Sequence, residues 1–220
     1  MEAIMTAWHW FDRGGLVMYF LLLASIGAGT IIIERLRYYR HKRGHVSLAR
    51  QEMKAFLREK SSRELAGIYS KRHTALDHMT AAAFKALLTG RDMERAMENA
   101  AQLEAAKLKK GLPLLGVLVT LAPILGLMGT VIGMIQSFSV FNLQAGAPMA
   151  ITGGVGEALV ATVTGLGVAT LALLGHSYFG YRLDIMVTDM ERWGSLLTEQ
   201  LAGLQGTGKK ERGQAKHEAA

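Results

Sequence analysis

The chain has 220 residues, 50% of them hydrophobic, and a formal net charge of +7. It has no cysteine, which excludes disulfides and thiolate metal sites, and its seven histidines lack the spacing of a metal site. A basic excess can indicate nucleic-acid binding, but no platform of interleaved aromatic and basic residues accompanies this one. We therefore expect no metal, no cofactor and no nucleic-acid partner.

Three apolar runs are long enough to cross a membrane: residues 16–33, 111–135 and 158–178. Roughly 20 apolar residues span a bilayer core of about 30 Å, at about 1.5 Å per residue. A basic stretch, residues 34–43, directly follows the first run, which is typical of a stop-transfer anchor rather than of a cleaved signal peptide. The chain is therefore predicted to be an all-α integral membrane protein with three long transmembrane helices and lipid contacts around them.

The basic residues are concentrated in one part of the chain. Residues 34–110 hold 18 of the 25 Lys and Arg, whereas residues 139–156 carry no charge at all. Basic residues accumulate on the cytoplasmic side of membrane proteins, close to the ends of the spans. This distribution predicts an N-terminus on the outer side of the membrane and a C-terminus in the cytoplasm.

A cytoplasmic helical bundle is predicted as an extension of the spans. Ser61 followed by Glu64 has the spacing of a capping box, and Gly90 is placed to end one helix before the next begins. The apolar period of residues 91–110 reaches the second run without a breaker, so we expect one continuous helix there. The predicted division is an outer N-terminal segment (1–15), the first span (16–33), a cytoplasmic helical domain (34–110), the second span (111–138), an outer loop (139–156), the third span (157–180), a cytoplasmic helix (181–202) and a disordered tail (203–220).

The second span carries small and polar residues on two strips. Pro123 leaves a backbone carbonyl free one turn earlier, which a neighbour, a hydroxyl or water must satisfy. Thr120, Pro123 and Thr130 share one strip of the helix. Three glycines form another strip, where the backbone of a second helix can approach closely: Gly126, Gly129 and Gly133.

The third span has a face of small residues with a hydroxyl near its outer end and an imidazole near its inner end. Thr162, Gly165, Ala169, Ala172 and His176 fall on this face at helical spacing. Small faces of this kind must contact other helices or water, and three spans alone cannot bury them well. We therefore expect an oligomer or a separate membrane partner.

Glu157 is the only carboxylate between Glu104 and Asp184, and it lies at the outer start of the third span. A charge at the centre of a membrane helix costs roughly 2.5–3.5 kcal/mol on insertion scales, so an ionisable group near the hydrocarbon is a candidate functional residue. The alternatives stay open. Glu157 could serve only as a partner of the helix dipole. Thr130 and Thr162, each judged singly, are equally well explained as packing residues.

These stretches resemble the ExbB/TolQ/MotA family of proton-driven stator proteins, and its ExbB members most of all. The string Pro-x-x-Gly-Leu-x-Gly-Thr-Val-x-Gly at residues 123–133 is the most specific match. Residues 14–36 and 156–166 match the family less specifically, and the likeness in order and spacing covers about residues 10–200. The outer side of the membrane is then the periplasm, and the membrane is the bacterial inner membrane.

The resemblance implies a ring of identical subunits, a pentamer in this family, around two copies of an ExbD-like single-span protein. It also implies a TonB-like protein that receives the work and drives transport across the outer membrane. Thr130 and Thr162 match the hydroxyls that surround the partner's aspartate in the pore, and Glu157 matches the acidic residue at the top of the third span. Candidate secondary pore residues are Thr120, Thr164 and His176, although an interfacial position explains His176 better than a proton relay does.

Several functions remain open at this point. MotA-like members have a fourth span and a longer cytoplasmic segment, which disfavours a flagellar stator. A TolQ-like subunit of the Tol-Pal system shares the three spans and the pore residues with an ExbB-like one. A passive membrane scaffold needs the same small-residue faces without moving ions. Nothing in the sequence indicates an enzyme, because there is no nucleophile–base pair.

Overall fold

The computed structural model describes residues 15–42, 44–143 and 148–217. Every regular element in these ranges is a helix, as the all-α prediction requires. The predicted ring is a property of an assembly and stays a prediction. In chain order the helices are α1 (Gly15–Lys42), α2 (Val46–Glu59), α3 (Ser62–Ser70), α4 (Ala75–Thr89), α5 (Met93–Lys109), α6 (Leu112–Leu143) and α7 (Pro148–His217).

Three stretches of these helices are long and apolar enough to cross a membrane, judged by length and composition among the described residues. They lie within Leu16–Phe56, Met93–Ser139 and Ala158–Leu201. Each contains one of the three apolar runs, so the prediction of three candidate spans is confirmed.

The helix entering the second span is interrupted, contrary to the expectation of one continuous helix. α5 ends at Lys109, and Gly111 has a φ of 85°, in the left-handed region that glycine adopts without a Cβ clash. A new helix starts when the Leu115 N–H donates to the Gly111 carbonyl at 3.2 Å. Pro113, which has no N–H, fits the first turn of this new helix. The apolar period gave no sign of the break because it continues through it.

Two segments are more helical than the sequence predicted. The expected loop at 139–156 is helical at both ends, up to Leu143 and from Pro148, and residues 144–147 lie outside the described chain. Residues 203–220 were predicted to be disordered, but α7 continues through them to His217. No proline follows Pro148, so no residue of the tail lacks a backbone N–H, and its Lys, Glu, Gln and Ala favour a helix that its four glycines weaken. The predicted N-terminal segment falls almost entirely on residues 1–14, outside the described residues.

The chain divides into two compact units. The first, called the apolar unit, contains the described residues of 15–36 and 111–180. Its core is built from small and medium side chains of α1, α6 and α7, while its surface is apolar, with Leu16 at 74% exposure. An apolar surface of this extent suits contact with lipid or with other apolar helices. The core residues are Val17, Met18, Leu21, Ala122, Ala161, Val168 and Ala169.

The second, called the polar unit, contains the described residues of 37–110 and 181–217. Its short helices begin and end with strong local signals. The capping box of Ser61 and Glu64 is confirmed, since each residue bonds the backbone of the other. Gly90 ends α4 with a φ of 66°, also as predicted. A second capping box, from Thr74 to Asp77, starts α4 and has the Ser/Thr-x-x-acid pattern that its sequence shows.

Trp193 of α7 anchors the core of the polar unit. Its ring is 1% exposed, and its Nε1–H donates to the Thr80 hydroxyl of α4 at 2.9 Å. The Thr80 hydroxyl in turn donates to the Leu76 carbonyl at 2.8 Å. A buried indole N–H without a partner is costly, so this chain of bonds fixes where α7 packs on α4.

Glu104 of α5 is a buried carboxylate in contact with two lysines and a histidine of the polar unit. Its Oε1 accepts from Lys107 Nζ at 2.8 Å and contacts His78 Nδ1 at 2.8 Å, and its Oε2 lies 3.4 Å from Lys42 Nζ. Burial by itself raises the pKa of Glu104, but the hydrogen bonds from Lys107 and His78 and the charge of Lys42 outweigh it and leave the pKa below its ordinary value.

We expect Glu104→Gln to lower the free energy of unfolding at neutral pH by about 1–3 kcal/mol, because the substitution removes the buried charge that pairs with Lys107 and Lys42 and contacts the His78 ring. The pKa in the folded protein is lowered, so the stabilisation is present above pH 4.5, the ordinary value, and is lost as pH falls through the lower folded value. Thermal unfolding in detergent between pH 7 and pH 3 measures both effects. The exposed Glu98→Gln is the matched control, and equal behaviour of the two variants would contradict this role.

Candidate functional site

Helices α6 and α7 touch backbone to backbone at one point of the apolar unit. A Cβ placed on Gly165 would lie 2.6 Å from the Ala122 carbonyl oxygen and 3.0 Å from the Gly126 Cα. A Cβ placed on Gly126 would lie 3.0 Å from the Thr162 Cα. The helices can approach this closely only because neither position carries a side chain.

The same close approach continues toward the C-terminal end of α6. A Cβ on Gly129 would lie 2.6 Å from the Ala161 Cβ, and one on Gly133 would lie 2.7 Å from the Ala158 Cβ. The contacts alternate glycine on α6 with alanine on α7, so the two helices interlock over about two turns. Ala122, Ala158 and Ala161 were not singled out from the sequence, although their three- to four-residue spacing from Gly126, Gly165 and one another could have indicated them.

The Thr162 hydroxyl crosses this contact. It is half-buried and donates to the Gly126 carbonyl oxygen at 3.1 Å. In an α-helix the carbonyl of residue 126 is also the acceptor for the N–H of residue 130. Thr162 is therefore tied, through one carbonyl, to the turn of α6 that carries Thr130.

Thr130 lies on a strip of α6 that the other described helices leave largely uncovered. Its hydroxyl is half-buried and donates to the Leu127 carbonyl at 2.7 Å, within its own helix. Pro123 on the same strip is half-buried, Thr120 is exposed, and Leu127 is 62% exposed. The strip therefore offers hydroxyls in the middle of an otherwise apolar surface.

The hydrogen atoms of both central hydroxyls are already engaged. A threonine hydroxyl has one donor and two acceptor lone pairs. Because Thr162 and Thr130 donate to the Gly126 and Leu127 carbonyls, their lone pairs are what remains for a further polar group. The site is built to accept hydrogen bonds rather than to donate them.

The candidate secondary residues differ in their surroundings. Thr120 and Thr164 donate to the Val117 and Val160 carbonyls of their own helices, at 3.0 Å and 2.8 Å. His176 Nδ1 lies 3.0 Å from the Leu112 carbonyl, which can only accept, so this nitrogen carries the hydrogen. His176 thus ties α7 to the first turn of α6, away from the contact at Gly126.

Glu157 lies in α7, but its side chain falls outside the part of the chain that the structure describes. Its position on the helix places it five residues before Thr162. Among the described residues, no group of three His, Cys, Asp or Glu is arranged to hold a metal ion.

We expect Gly165→Ala to destabilise the apolar unit by about 1–3 kcal/mol, because the new methyl group overlaps the Ala122 carbonyl and the backbones must separate. Gly167→Ala, two residues away on the same helix, has nothing within 4 Å of its new Cβ and serves as the control. Thermal unfolding of both variants in lipid nanodiscs measures the difference. Equal melting temperatures would contradict a backbone contact at Gly165.

The sequence of residues 49–192 matches the family described as the MotA/TolQ/ExbB proton channel family. A protein of Synechocystis sp. named as ExbB-like 1 is 36% identical over 171 residues, which cover 74% of this chain and 66% of the relative. The biopolymer transport protein ExbB of Xanthomonas campestris is 36% identical over 88 residues, covering 40% of this chain and 35% of the relative. The Tol-Pal system protein TolQ of Pseudomonas aeruginosa is 34% identical over 94 residues, which cover 42% of this chain and 41% of the relative.

The chain therefore spans less than two thirds of the length of these relatives. The family match itself extends over more than half of the chain and takes in both sides of the contact between α6 and α7. Because three of its stretches are also long and apolar enough to span a bilayer, the chain is a multi-pass membrane protein that belongs to the MotA/TolQ/ExbB proton channel family.

Proposed function

We propose that this chain is the ring-forming subunit of a proton-driven motor in the bacterial inner membrane. With an ExbD-like single-span partner it energises TonB-dependent transport across the outer membrane. The observation that carries the proposal is the uncovered strip of α6, where Thr130 stands one turn from the Gly126 carbonyl that Thr162 contacts. Family membership supports proton conduction as the source of energy.

The strip also supports a ring around a partner helix. Hydroxyls and a proline on an apolar surface are poorly suited to lipid, so a polar or hydrated neighbour is favoured. Copies of the same strip arranged around an axis would enclose a narrow interior lined with hydroxyls. A pentamer with two partner helices inside is the arrangement that the family resemblance favours.

In the proposed pore the two threonines select one protonation state of the partner's aspartate. A protonated carboxyl group can donate its O–H to the lone pairs of Thr162 or Thr130. An ionised carboxylate has no free hydrogen to accept there, since each hydroxyl must first leave the backbone carbonyl to which it donates. The hydroxyls therefore hold the neutral acid while it passes the ring and release it when it ionises. Thr120 and Thr164 extend the same type of surface along the helices.

Glu157 is placed at the outer entrance of this pathway. A carboxylate in the first part of the third span, with a periplasmic N-terminus, attracts protons or a basic group of the partner to the entrance. In this role it gathers protons and does not carry them through the ring, so its loss is expected to reduce the flux rather than abolish it.

A TolQ-like function is the second candidate, because a TolQ protein is among the relatives. An ExbB-like function is favoured, since a relative aligned over 171 residues, 74% of this chain, is named ExbB-like. Cells lacking the chain distinguish the two. Loss of TonB-dependent iron-chelate uptake supports the ExbB-like role, whereas a leaky envelope with normal uptake supports the TolQ-like role.

We expect Thr162→Val to lower proton flux at least tenfold in liposomes that contain the chain and its single-span partner. Valine keeps the shape of threonine but removes the hydroxyl, and the lost hydrogen bond to Gly126 costs only about 0.5–1.5 kcal/mol, so the complex should still assemble. Flux is measured by the quenching of a pH-sensitive dye, and assembly by size-exclusion chromatography.

Thr170→Val is the matched control, because Thr170 is exposed on the same helix and its hydroxyl donates to its own Leu166 carbonyl. This variant should conduct like the wild type. Normal flux in Thr162→Val would remove the proposed pore role. Absence of flux from the wild-type complex under a proton gradient would favour the passive scaffold.

A further inference from the structure

A groove of about 820 Å³ opens between α5 and α7 in the polar unit, and the mechanism proposed above does not use it. The accessible part of its floor is apolar and half-buried, formed by Ala101 and Ala105 of α5 and Val187 of α7. Beneath it lie three methionines that are each at most 3% exposed, and their unbranched, polarisable side chains can adapt as the floor is covered: Met79, Met97 and Met190. A floor of this kind is typical of surfaces that receive amphipathic segments.

The rim of the groove has one sign of charge. Four exposed glutamates line it, and among the described lining residues there is no Lys, Arg or His. None of the four forms an ion pair with another described residue; Glu98 only accepts a hydrogen bond from Gln102 at 3.3 Å. The groove is therefore acidic, although the chain as a whole has a net charge of +7. The glutamates are Glu94, Glu98, Glu191 and Glu199.

We propose that the groove binds the basic cytoplasmic flank of the single-span partner as an amphipathic helix. The inference rests on the proposed function, which supplies a partner that crosses the membrane once. Lys and Arg accumulate on the cytoplasmic flank of such a span. A helix from this flank places its apolar side chains on the apolar floor and its cations beside the glutamates, so both the shape and the charge of the groove are matched.

Pairing of the groove with the same groove of a second copy is disfavoured. A twofold contact brings identical surfaces together, so glutamates of one copy would face glutamates of the other. Like charges opposed in a closed interface cost several kcal/mol. Contact of the groove with a different face of a second copy is an outcome that the experiment below detects.

The absence of native cysteine allows a direct cross-linking test in the full complex. Ser195, an exposed residue that lines the groove, is replaced in Ser195→Cys, and single cysteines are introduced along the partner's basic flank. We expect a disulfide between the two proteins in liposomes. The paired reversal Glu94→Lys with Glu98→Lys should lower its yield at least tenfold, and Lys→Glu changes in the partner's flank should restore it.

Asp184→Lys is the control for the change in net charge, since Asp184 is exposed on α7 but does not line the groove. It should leave the cross-link unchanged. A cross-link between two copies of this chain in place of the partner would overturn the proposal, as would a partner cross-link that is indifferent to charge reversal at the rim.

Proton flux measured in the same liposomes separates this inference from the proposed function. Flux without a charge-dependent cross-link overturns the groove proposal and leaves the motor function standing. A charge-dependent cross-link without flux supports the groove and contradicts proton conduction.

Discussion

The close contact of α6 with α7 at Gly126 and Gly165 is the constraint on which the candidate site depends. The two backbones can touch because hydrogen atoms stand where side chains would collide with the Ala122 carbonyl. At that separation the Thr162 hydroxyl reaches the Gly126 carbonyl of the neighbouring helix. The Thr170 hydroxyl, on an exposed part of the same helix, has no such neighbour among the described residues and donates to its own Leu166 carbonyl. The close contact of the small residues therefore determines where the Thr162 hydroxyl donates, and so which of its atoms are left for a further polar group.

The uncovered strip of α6 is the reason for proposing an assembly around the second span. The apolar unit covers one flank of α6 with α7 and leaves the strip with Thr120, Pro123 and Thr130 largely open. Lipid does not solvate such a strip well, and the proposed ring of copies around a partner helix would cover it. The helices of the polar unit are held together instead by the buried Trp193 and by the hydrogen bonds of buried Glu104. Its acidic groove is the surface that we propose to bind a basic segment of the partner.

Local signals in the sequence were enough to predict much of this structure. The three spans follow from apolar length, and the capping box at Ser61 and the helix end at Gly90 follow from two or three residues each. The sequence did not predict the break at Gly111, because apolar residues continue at helical spacing past this glycine. Its left-handed backbone is visible only in the structure. The Thr162 hydroxyl bonds a carbonyl 36 positions away and Lys42 lies 62 positions from Glu104, and no periodicity encodes such pairings.

The most direct test of the account is the water accessibility of position 130 in the assembled complex. Thr130→Cys introduces the only thiol into a chain without cysteine, and its reaction with a charged, membrane-impermeant reagent is compared with that of Leu171→Cys, which is 58% exposed on the apolar surface. If the pore is hydrated, the cysteine at position 130 reacts rapidly and the cysteine at position 171 does not react. A cysteine at position 130 that reacts only with a reagent dissolved in the lipid would contradict a hydrated, hydroxyl-lined pore.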